Sequence, residues 1–496
     1  MERAIAQADV VIAGGGPVGM LLAAELAGYG VDTVVLEGKA ATDDQPKANT
    51  LHARTVQSLA RRGYLDGPGP ADNPTPVTAP FHFGGITELT VTSPATEPVP
   101  LLKRPQSELE RQFEETARAR GARILRGHLV VEAAQTAHGV QVTAEGPDGR
   151  RTVRAAYLVG ADGARSRVRE RTGFPTDTWP ASVSALMGRV RVAAPDVLPG
   201  GWHRTPRGWI VSRPEPGEHR LIRTLDCASA HPDRHAPVGP DEFRREVSRI
   251  AGHEVEMSDA TSLTRFSDFT RLARTFRRDR VFLVGDAAHL HFPIGGQGLS
   301  TGLLDALNLG WKLAHSVRGT AGKGLLESYD AERRPVALRL VENTFAQLAL
   351  MRAGSDVDAL RSLFGDVLAT RDGHALISGM ISAQDTVHPS RSVQPSPWEG
   401  RFLENRPLRT EHDGPTDLIG LLRDGRPFLL LTAGADRHLA DTAGRWSHVV
   451  RTVRVPDDAD LPCQALLVRP DGYVGWASEG GDLAEALTAW FGGTPA

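Results

Sequence analysis

The sequence of 496 residues predicts an α/β protein with a Rossmann-like N-terminal domain. Residues 9–13 form a short apolar run typical of a buried strand, and a glycine-rich turn follows at once. A helical pattern over residues 18–27 then leads to a second apolar run over residues 31–37. A helix that joins two strands is the crossover connection that parallel neighbours need, so we expect these two strands to be parallel.

The chain length predicts more than one domain, since a single hydrophobic core rarely serves more than about 300 residues. We expect residues 1–180 and 270–390 to form one discontinuous domain around the strand–helix–strand unit, with residues 75–105 contributing to a neighbouring sheet layer. Short β-type runs separated by turns predict that residues 181–269 form an inserted sheet domain. A fresh pattern of strands and a closing helix predicts a separate α/β domain over residues 400–496.

Composition restricts both the partners and the compartment. The 57 basic and 60 acidic residues leave a net charge of −3, which argues against a nucleic-acid or membrane partner. Cys227 and Cys463 are far apart and stand in no metal-ligand or C-x-x-C spacing, so we expect no metal site and a reducing compartment. No apolar run reaches the roughly 18 residues that a membrane span needs, and we therefore expect a cytoplasmic protein.

The turn after the first strand contains the spacing G-x-G-x-x-G. Gly14 permits the sharp turn, Gly16 lets the backbone approach a pyrophosphate, and Gly19 lets the helix lie close to the sheet. Pro17 and Val18 stand where the helix begins, and the free N–H groups and partial positive charge of a helix start favour phosphate. The turn therefore predicts a dinucleotide site.

Glu37 ends the next strand, 23 residues beyond Gly14. A carboxylate at this position accepts hydrogen bonds from the two hydroxyls of an adenosine ribose. The same carboxylate repels a phosphorylated ribose. The spacing therefore favours FAD or NAD over NADP at this turn.

Two further turns place an aspartate after a strand. Asp162 and Gly163 form a polar turn before an arginine-rich helical segment. Asp286 follows a buried strand, and a glycine-rich stretch then leads to a long helix that begins near Gly298. An aspartate in that place can hold a sugar-alcohol hydroxyl, and the positive end of the helix can stabilise an anionic ring. Pro293 in this stretch gives the backbone beside the expected ring a fixed φ angle and no N–H donor.

Several motifs together carry a resemblance to a known family. They are Gly285-Asp286-Ala287-Ala288-His289, Pro293, Gly295-Gly296-Gln297-Gly298, Asp305-Ala306, Asn308-Leu309, Trp311-Lys312-Leu313 and Tyr329-Asp330-Ala331-Glu332-Arg333-Arg334-Pro335. These motifs resemble those of the class A flavoprotein monooxygenases, the para-hydroxybenzoate hydroxylase fold group. The run 469–476 is similar to R-P-D-G-x-V-x-W in the aromatic polyketide (angucycline-type) hydroxylases. The chain departs from the family at Lys47, Ser300 and Leu304, where Arg, Asn and Gln are common.

The resemblance implies a Rossmann-like FAD-binding domain, a substrate-binding role for the inserted sheet, and a thioredoxin-like C-terminal domain without C-x-x-C. It implies FAD as cofactor, NADPH or NADH as co-substrate, and O2 as the source of an oxygen atom that a C4a-hydroperoxyflavin passes on. The implied substrate is a polycyclic aromatic polyketide of the angucyclinone or anthracyclinone kind. The expected FAD contacts are Gly14, Gly16, Pro17, Val18, Gly19, Glu37, Lys47, Gln106, Val130, Asp162, Asp286, Pro293, Gly298 and Leu299.

The sequence assigns no catalytic side chain, because the flavin itself is the expected reactive centre. His291 and its neighbour His289 are candidates for a base, although a histidine beside such a loop more often has a structural role. Aromatic side chains of the presumed sheet layer are candidates for lining a substrate pocket, with ordinary core packing as the alternative. They are Phe81, Phe83, Trp202 and Trp209.

Alternatives in function stay open at the level of sequence. A Baeyer–Villiger oxygenase and an enzyme that inactivates rifamycin- or tetracycline-type antibiotics would use the same scaffold. A non-catalytic FAD-fold binding protein would share it as well. The choice between NADH and NADPH and a homodimeric state are also left open.

Overall fold

The structure is a computed structural model that describes residues 3–67, 75–193, 195–411, 414–456 and 461–493. Helices and strands are both abundant, which confirms the predicted α/β class. No helix within these residues is long and apolar enough to cross a membrane.

The first part of the chain alternates short strands with helices. Its elements are β1 (Arg3–Ala13), α1 (Pro17–Gly28), β2 (Thr33–Glu37), β3 (Thr50–His52), α2 (Ala53–Arg61), β4 (Val77–Pro80), β5 (Thr90–Ser93), β6 (Leu101–Lys103), α3 (Gln106–Ala119), β7 (Arg123–Arg126), β8 (Leu129–Thr136), β9 (Gly139–Gly146), β10 (Gly149–Gly160), α4 (Arg167–Arg171) and β11 (Thr176–Trp179).

The middle of the chain is first rich in strands and then helical. Its elements are β12 (Ser184–Val192), β13 (Gly201–Thr205), β14 (Gly208–Pro214), β15 (His219–Asp226), α5 (Pro240–Ala251), β16 (Met257–Ser267), β17 (Thr270–Ala273), β18 (Arg277–Arg278), β19 (Val281–Leu283), β20 (His289–Leu290), α6 (Gly298–Val317), α7 (Glu327–Met351), α8 (Ser355–Ala369) and α9 (Arg371–Ser382).

The last part of the chain again mixes strands and helices. Its elements are β21 (Pro407–Thr410), β22 (Gly414–Asp417), α10 (Leu418–Leu422), β23 (Phe428–Thr432), α11 (Arg437–Gly444), β24 (Arg451–Val455), β25 (Ala465–Val468), β26 (Val474–Ala477) and α12 (Leu483–Phe491).

The largest sheet has the order β18-β19-β10-β1-β2-β7, with the antiparallel hairpin of β8 and β9 attached to β10. β1 pairs in parallel with both β2 and β10, and β10 pairs in parallel with β19. Because β2 and β10 flank β1 on opposite sides, the order of strands reverses at β1. The turns that follow β1, β2, β10 and β19 therefore open at one edge of the sheet.

Helix α1 begins at Pro17, whose ring suits the first position of a helix. All residues from Gly19 to Ala27 are buried. A helix that is apolar on every face needs neighbours on every face, and α1 packs within the core formed with the sheet and helices α3 and α6. This packing fixes the start of α1 at the edge where the turns meet.

The inserted sheet has the antiparallel order β13-β14-β15-β12-β16. Alternate residues bury one face against helix α5, for example Ile210 and Ile222 with Phe243. The opposite face carries Trp209 and Leu225, which pack against Phe292, Ile294, Leu348 and Met351 from the middle of the chain. One face of the inserted sheet is therefore turned toward the loop after β19.

The C-terminal sheet has the order β24-β23-β25-β26. β23 pairs in parallel with β24 and antiparallel with β25, and β25 pairs antiparallel with β26. These directions, with α12 packed on one face, are those of the predicted thioredoxin-like fold. The sequence does not predict β26, because its four residues include Gly475, which has a low strand propensity.

Candidate active site

The turns after four parallel strands converge at the carboxyl edge of the large sheet. Gly14 N–H donates to Leu36 O at 2.8 Å, and Ala161 N–H donates to Ala13 O at 2.8 Å. The sheet thus gathers the glycine turn, the end of β2, the Asp162 turn and the Asp286 turn, although they are far apart in sequence. An edge of this kind, at a reversal of strand order, is where open α/β sheets bind ligands.

The glycine turn has two positions that packing restricts to glycine and one that it leaves open. Gly14 has φ 104°, and a Cβ there would lie 2.3 Å from Ala161 O; a Cβ on Gly19 would lie 2.1 Å from Gly14 O. The fold itself therefore requires glycine at both positions. Gly16 has φ −70°, and a Cβ there would meet no protein atom within 4 Å. The open space beside Gly16 fits a pyrophosphate at the start of α1.

Two carboxylates are oriented by backbone donors beside this turn. Glu37 accepts from Gly15 N–H at 2.5 Å and from Lys39 N–H at 2.7 Å, which leaves lone pairs on both oxygens for ribose hydroxyls. One oxygen of Asp162, Oδ2, accepts from Arg167 N–H at 2.7 Å. The other, Oδ1, is buried and has no hydrogen-bond partner within the described residues. Burial raises the pKa of Asp162, and a donor from a ligand would complete its bonding.

The loop of residues 285–297, here called the Gly-Asp loop, connects β19 to α6. Asp286 lies at the start of this loop and is exposed to solvent. The surrounding protein partly desolvates its carboxyl group and thereby raises its pKa. Helix α6 begins at Gly298 without a side-chain cap. The N–H groups of its first turn are consequently available to an anionic ligand, together with the positive end of a helix of 20 residues.

A buried hydrogen-bonded network joins the Gly-Asp loop to helices α6 and α7. Asp305 of α6 accepts from Gly285 N–H at 3.0 Å and contacts His289 Nε2 at 2.6 Å. Its other oxygen accepts from Arg333 Nε of α7 at 2.8 Å. All three side chains are buried; burial alone would raise the pKa of Asp305, but the contacts with His289 and Arg333 hold it below its usual value. The network fixes the position of the loop relative to α6.

Comparison with known protein families assigns most of the chain to two families. Residues 7–344 match the FAD binding domain family, and residues 396–494 match the family described as aromatic-ring hydroxylase, C-terminal. The first match alone covers more than half of the chain. The chain belongs to the FAD-dependent aromatic-ring hydroxylases. The predicted recognition, fold class and assignment as an enzyme are thereby confirmed.

Individual relatives match the hydroxylase over nearly its whole length. The 12-dehydrotetracycline 5-monooxygenase/anhydrotetracycline 6-monooxygenase of Streptomyces rimosus subsp. rimosus is 38% identical, over 98% of this chain and 99% of the relative. A rifampicin monooxygenase of Rhodococcus hoagii is 35% identical, over 98% of each chain. The structure of CabE, an aromatic hydroxylase from angucycline biosynthesis, superposes with a TM-score of 0.88 at 33% identity, over 98% of this chain and 100% of CabE.

The remaining predicted contacts of the hydroxylase lie around the same edge. Gln106 N–H donates to Ala48 O at 3.0 Å, which places Gln106 beside Lys47. Lys47 itself is exposed and pairs with Asp43 at 3.1 Å. Val130 is buried in β8, and its carbonyl accepts from Arg167 Nη1 at 3.4 Å, close to the Asp162 turn.

Three further predicted contacts belong to the two helix starts and the loop between them. The side chain of Val18 lies against Gly285, so the glycine turn and the Gly-Asp loop are in direct contact. Pro293 is exposed within the loop, and Leu299 is half-buried in the first turn of α6. The FAD contacts of all these residues stay predictions, and the geometry of the turn supports them.

The two candidate bases occupy different environments. His289 is completely buried and held by Asp305, which supports a structural role. His291 is half-buried, its Nδ1 lies 2.8 Å from Phe292 O, and a Cβ on Gly298 would lie 3.1 Å from its Nε2. Burial lowers the pKa of His291 to about 4, so the ring is neutral at pH 7 and is a weak base there.

Aromatic side chains lead from the Gly-Asp loop to the inserted sheet. His52 Nε2 lies 2.9 Å from Gly295 O, and the ring of His52 contacts Phe81 at a centroid distance of 5.0 Å. Phe81 stacks on His82 at 4.8 Å, and His82 contacts Trp202 at 4.4 Å. Phe81 and Trp202 are half-buried, whereas Phe83 and Trp209 are core residues. The sequence pointed to Phe81 and Trp202 but not to the two histidines, whose spacing carries no motif.

A second buried network connects α6 and α7 to the C-terminal sheet. Glu332 pairs with Lys312 at 2.9 Å and with Arg469 at 2.7 Å. Arg469 also donates to Asp471, which accepts from Trp311 Nε1 at 3.1 Å. The W-K-L, E-R-R-P and R-P-D-G motifs thus form a single cluster. Sequence reasoning missed this connection, because the spacing within each motif contains no information about the others.

Proposed function

We propose that the hydroxylase inserts one oxygen atom of O2 into a polycyclic aromatic polyketide, with NADPH or NADH as the reductant. Bound FAD would supply the reductive activation of O2 by the flavin route that the resemblance implies. Residues 1–180 and 270–390 would bind FAD, and residues 181–269, with 75–105, would bind the substrate. The C-terminal residues 400–496 would support the FAD-binding part by packing.

The aromatic row from His52 to Trp202 carries this proposal. It joins the loop that would hold the flavin ring to the sheet that would hold the substrate. Flat side chains suit a flat substrate, because aromatic rings stack or meet edge to face with a favourable energy beyond simple area burial. An extended ring system lying along the row would have one end at the Gly-Asp loop, as transfer of an oxygen atom requires.

The residues of the chain would bind and orient the reactants and keep water out. Gly16 and the start of α1 would hold the pyrophosphate, and Glu37 the adenosine ribose. The start of α6 would stabilise negative charge on the reduced ring. Phe292 and Ile294 pack against apolar residues of the inserted sheet, and this packing would keep water from that side of the loop. We assign no proton transfer to His291, in accordance with its low pKa.

The test is anaerobic reduction of the purified holoenzyme by NADPH and by NADH, each with and without a panel of angucyclinones, anthracyclinones, anhydrotetracycline and rifampicin. Admission of O2 then gives the product for mass analysis. We expect substrate-accelerated reduction and a product with one added oxygen atom. A Baeyer–Villiger lactone gains the same mass, so NMR of the product distinguishes it, and a lactone would indicate that chemistry instead. Hydrogen peroxide alone across the panel would contradict the proposed substrate class.

Trp202 offers a sharper test of the substrate position. Trp202→Ala removes the end of the aromatic row, so a substrate would sit less firmly and water would enter. We expect a larger share of consumed NADPH to appear as hydrogen peroxide, with FAD content unchanged. Trp398→Ala is the control, since Trp398 is 36% exposed and outside the row. Equal peroxide yields from the two variants would argue against a substrate beside Trp202.

A further inference from the structure

The face of the inserted sheet that is turned toward the Gly-Asp loop contains an arginine among apolar side chains. Arg223 of β15 is paired with Val211 of β14 on one side and with Met187 of β12 on the other. Trp202, the end of the aromatic row, is the partner of Val211 on the next strand. Directly opposed residues share a face of a sheet. Arg223 therefore lies on the same face as Trp202.

The position of Arg223 relative to the loop follows from the strand. Leu225, two residues farther along β15, packs in the cluster that includes Phe292 and Ile294 of the Gly-Asp loop. Alternate residues share a face, and two residues span about 7 Å of strand. Arg223 consequently lies one row farther from the loop than Leu225, within reach of a molecule that extends from the loop along this face.

No carboxylate of the described part of the chain pairs with Arg223. Its Nε donates to Met187 Sδ at 3.4 Å, a weak acceptor, and the side chain is half-buried. Burial, followed by repulsion from Arg213, lowers the pKa of Arg223, against a smaller opposing attraction from Glu215. A guanidinium group that loses water without a directly bonded counter-charge costs stability. The position of Arg223 beside Met187 and Val211 therefore points to a binding partner from outside the protein.

The surroundings of Arg223 are positively charged as well. Arg213, of β14, and Arg189, of β12, share one carboxylate, Glu215, at 3.2 Å each. Lys103 of β6 donates to Thr50 Oγ1 at 2.7 Å. Burial, followed by repulsion from Arg213 and Arg223, lowers the pKa of Lys103. Arg213 and Lys103 thus repel Arg223, and Glu215, the carboxylate that attracts it, is shared with Arg213 and Arg189, so this region favours an anion.

We propose that Arg223 is a specificity-determining residue that binds an anionic oxygen group of the substrate, either a carboxylate or the enolate of a β-diketone, on the face of the inserted sheet that is turned toward the Gly-Asp loop. This inference rests on the proposed function. The planar fork of arginine donates two parallel hydrogen bonds to two oxygens of such a group. Lys103 and Arg213 add attraction at longer range, and Trp202 covers the adjoining ring.

The test measures binding by calorimetry with the FAD-loaded protein in the absence of reductant. The first probe pair is a dihydroxyanthraquinone carboxylate and its methyl ester. The second is a tetracyclic β-diketone and its enol methyl ether, which distinguishes an enolate from a carboxylate as the recognised group. We expect wild-type protein to bind one anionic probe at least about tenfold more tightly than its neutral partner.

Three variants locate the effect. Arg223→Met fits among Met187 and Val211 and should weaken binding of the anionic probe by about 10- to 100-fold, which corresponds to about 1.4–2.8 kcal/mol. Binding of the neutral probe should change by less than about threefold. Arg223→Lys should recover part of the loss, because it keeps the charge but not the fork. Arg191→Met is the control, since Arg191 is 47% exposed and pairs with Asp259 at the surface.

Two results would overturn the inference: equal affinity of wild-type protein for the members of both probe pairs, or an equal loss for charged and neutral probes in Arg223→Met. The retained FAD content and circular dichroism of each variant show that it is folded. The proposed function is judged separately by product formation. A charge preference without any oxygenated product would leave the anion site intact and refute the proposed reaction.

Discussion

Replacement of Arg469 by methionine tests how firmly the C-terminal sheet is joined to the FAD-binding part. The guanidinium group makes bonds to Glu332 of α7 at 2.9 and 2.7 Å and to Asp471 at 3.0 and 2.6 Å. Arg469 is 1% exposed, and Glu332 is 2% exposed. Arg469→Met keeps most of the side-chain volume but removes every one of these bonds.

The expected cost follows from the charges that are left behind. Arg469 pairs with both Glu332 and Asp471, and Lys312 has a lowered pKa of about 7, so loss of Arg469 leaves at least one negative charge uncompensated in a buried place. Removal of one partner from a buried ion pair costs about 3–5 kcal/mol. An exposed ion pair contributes about 0–1 kcal/mol. Arg150→Met, which removes exposed contacts to Glu132 and Glu145, is therefore the matched control.

The assay is equilibrium unfolding in urea followed by tryptophan fluorescence, with Trp311, Trp476 and Trp490 close to the affected cluster. We expect a lower unfolding midpoint for Arg469→Met and almost no change for Arg150→Met. Arg469→Lys should fall between them, since it keeps a charge but loses the fork. A loss for Arg469→Met that is no larger than the loss for the control would refute the reasoning.

The other predictions concern the glycine turn and the pH dependence of stability. A Cβ on Gly16 meets no atom of the described residues within 4 Å, so Gly16→Ala should fold normally and lose FAD affinity at least about tenfold, as measured by flavin content beside circular dichroism. Gly19→Ala forces a carbon 2.1 Å from Gly14 O and should lower the unfolding midpoint as well; identical behaviour of the two variants would contradict both assignments. Burial lowers the pKa of Lys312 to about 7, whereas the unfolded chain keeps a lysine pKa of about 10.4. Between these values the unfolded state binds more protons, so wild-type stability should rise with pH and Lys312→Met should flatten the rise, which urea midpoints at several pH values will measure.

The local parts of the site could be predicted from sequence, because their chemistry lies within a few residues. The roles of Gly14 and Gly19 follow from a turn and a close contact, and the structure shows a reason for each within the protein. Gly16 is different, since no atom of the described residues lies within 4 Å of a Cβ placed there. Its prediction depended on the expected ligand, and the open space in the structure supports the same explanation.

The non-local parts could not be predicted in the same way. Arg223 faces the Gly-Asp loop only because of the pairing of β14, β15 and β12, and a strand pattern does not contain the register of its neighbours. His52 reaches Gly295 across the fold, with nothing in the local sequence to indicate it. β1 also begins at Arg3 rather than near residue 9, because its first part pairs with β10 through backbone groups, which leave no apolar pattern.

The cluster around Glu332 limits how these enzymes can change during evolution. If recombination introduced a C-terminal unit that lacks the equivalents of Arg469 and Asp471, Lys312 and Glu332 would lose their ion-pair and hydrogen-bond partners. Recombination at the linker between the two parts would therefore succeed only when donor and recipient carry matching charges. The two parts of the chain should be inherited as a pair, even though the thioredoxin-like unit contains no redox motif of its own.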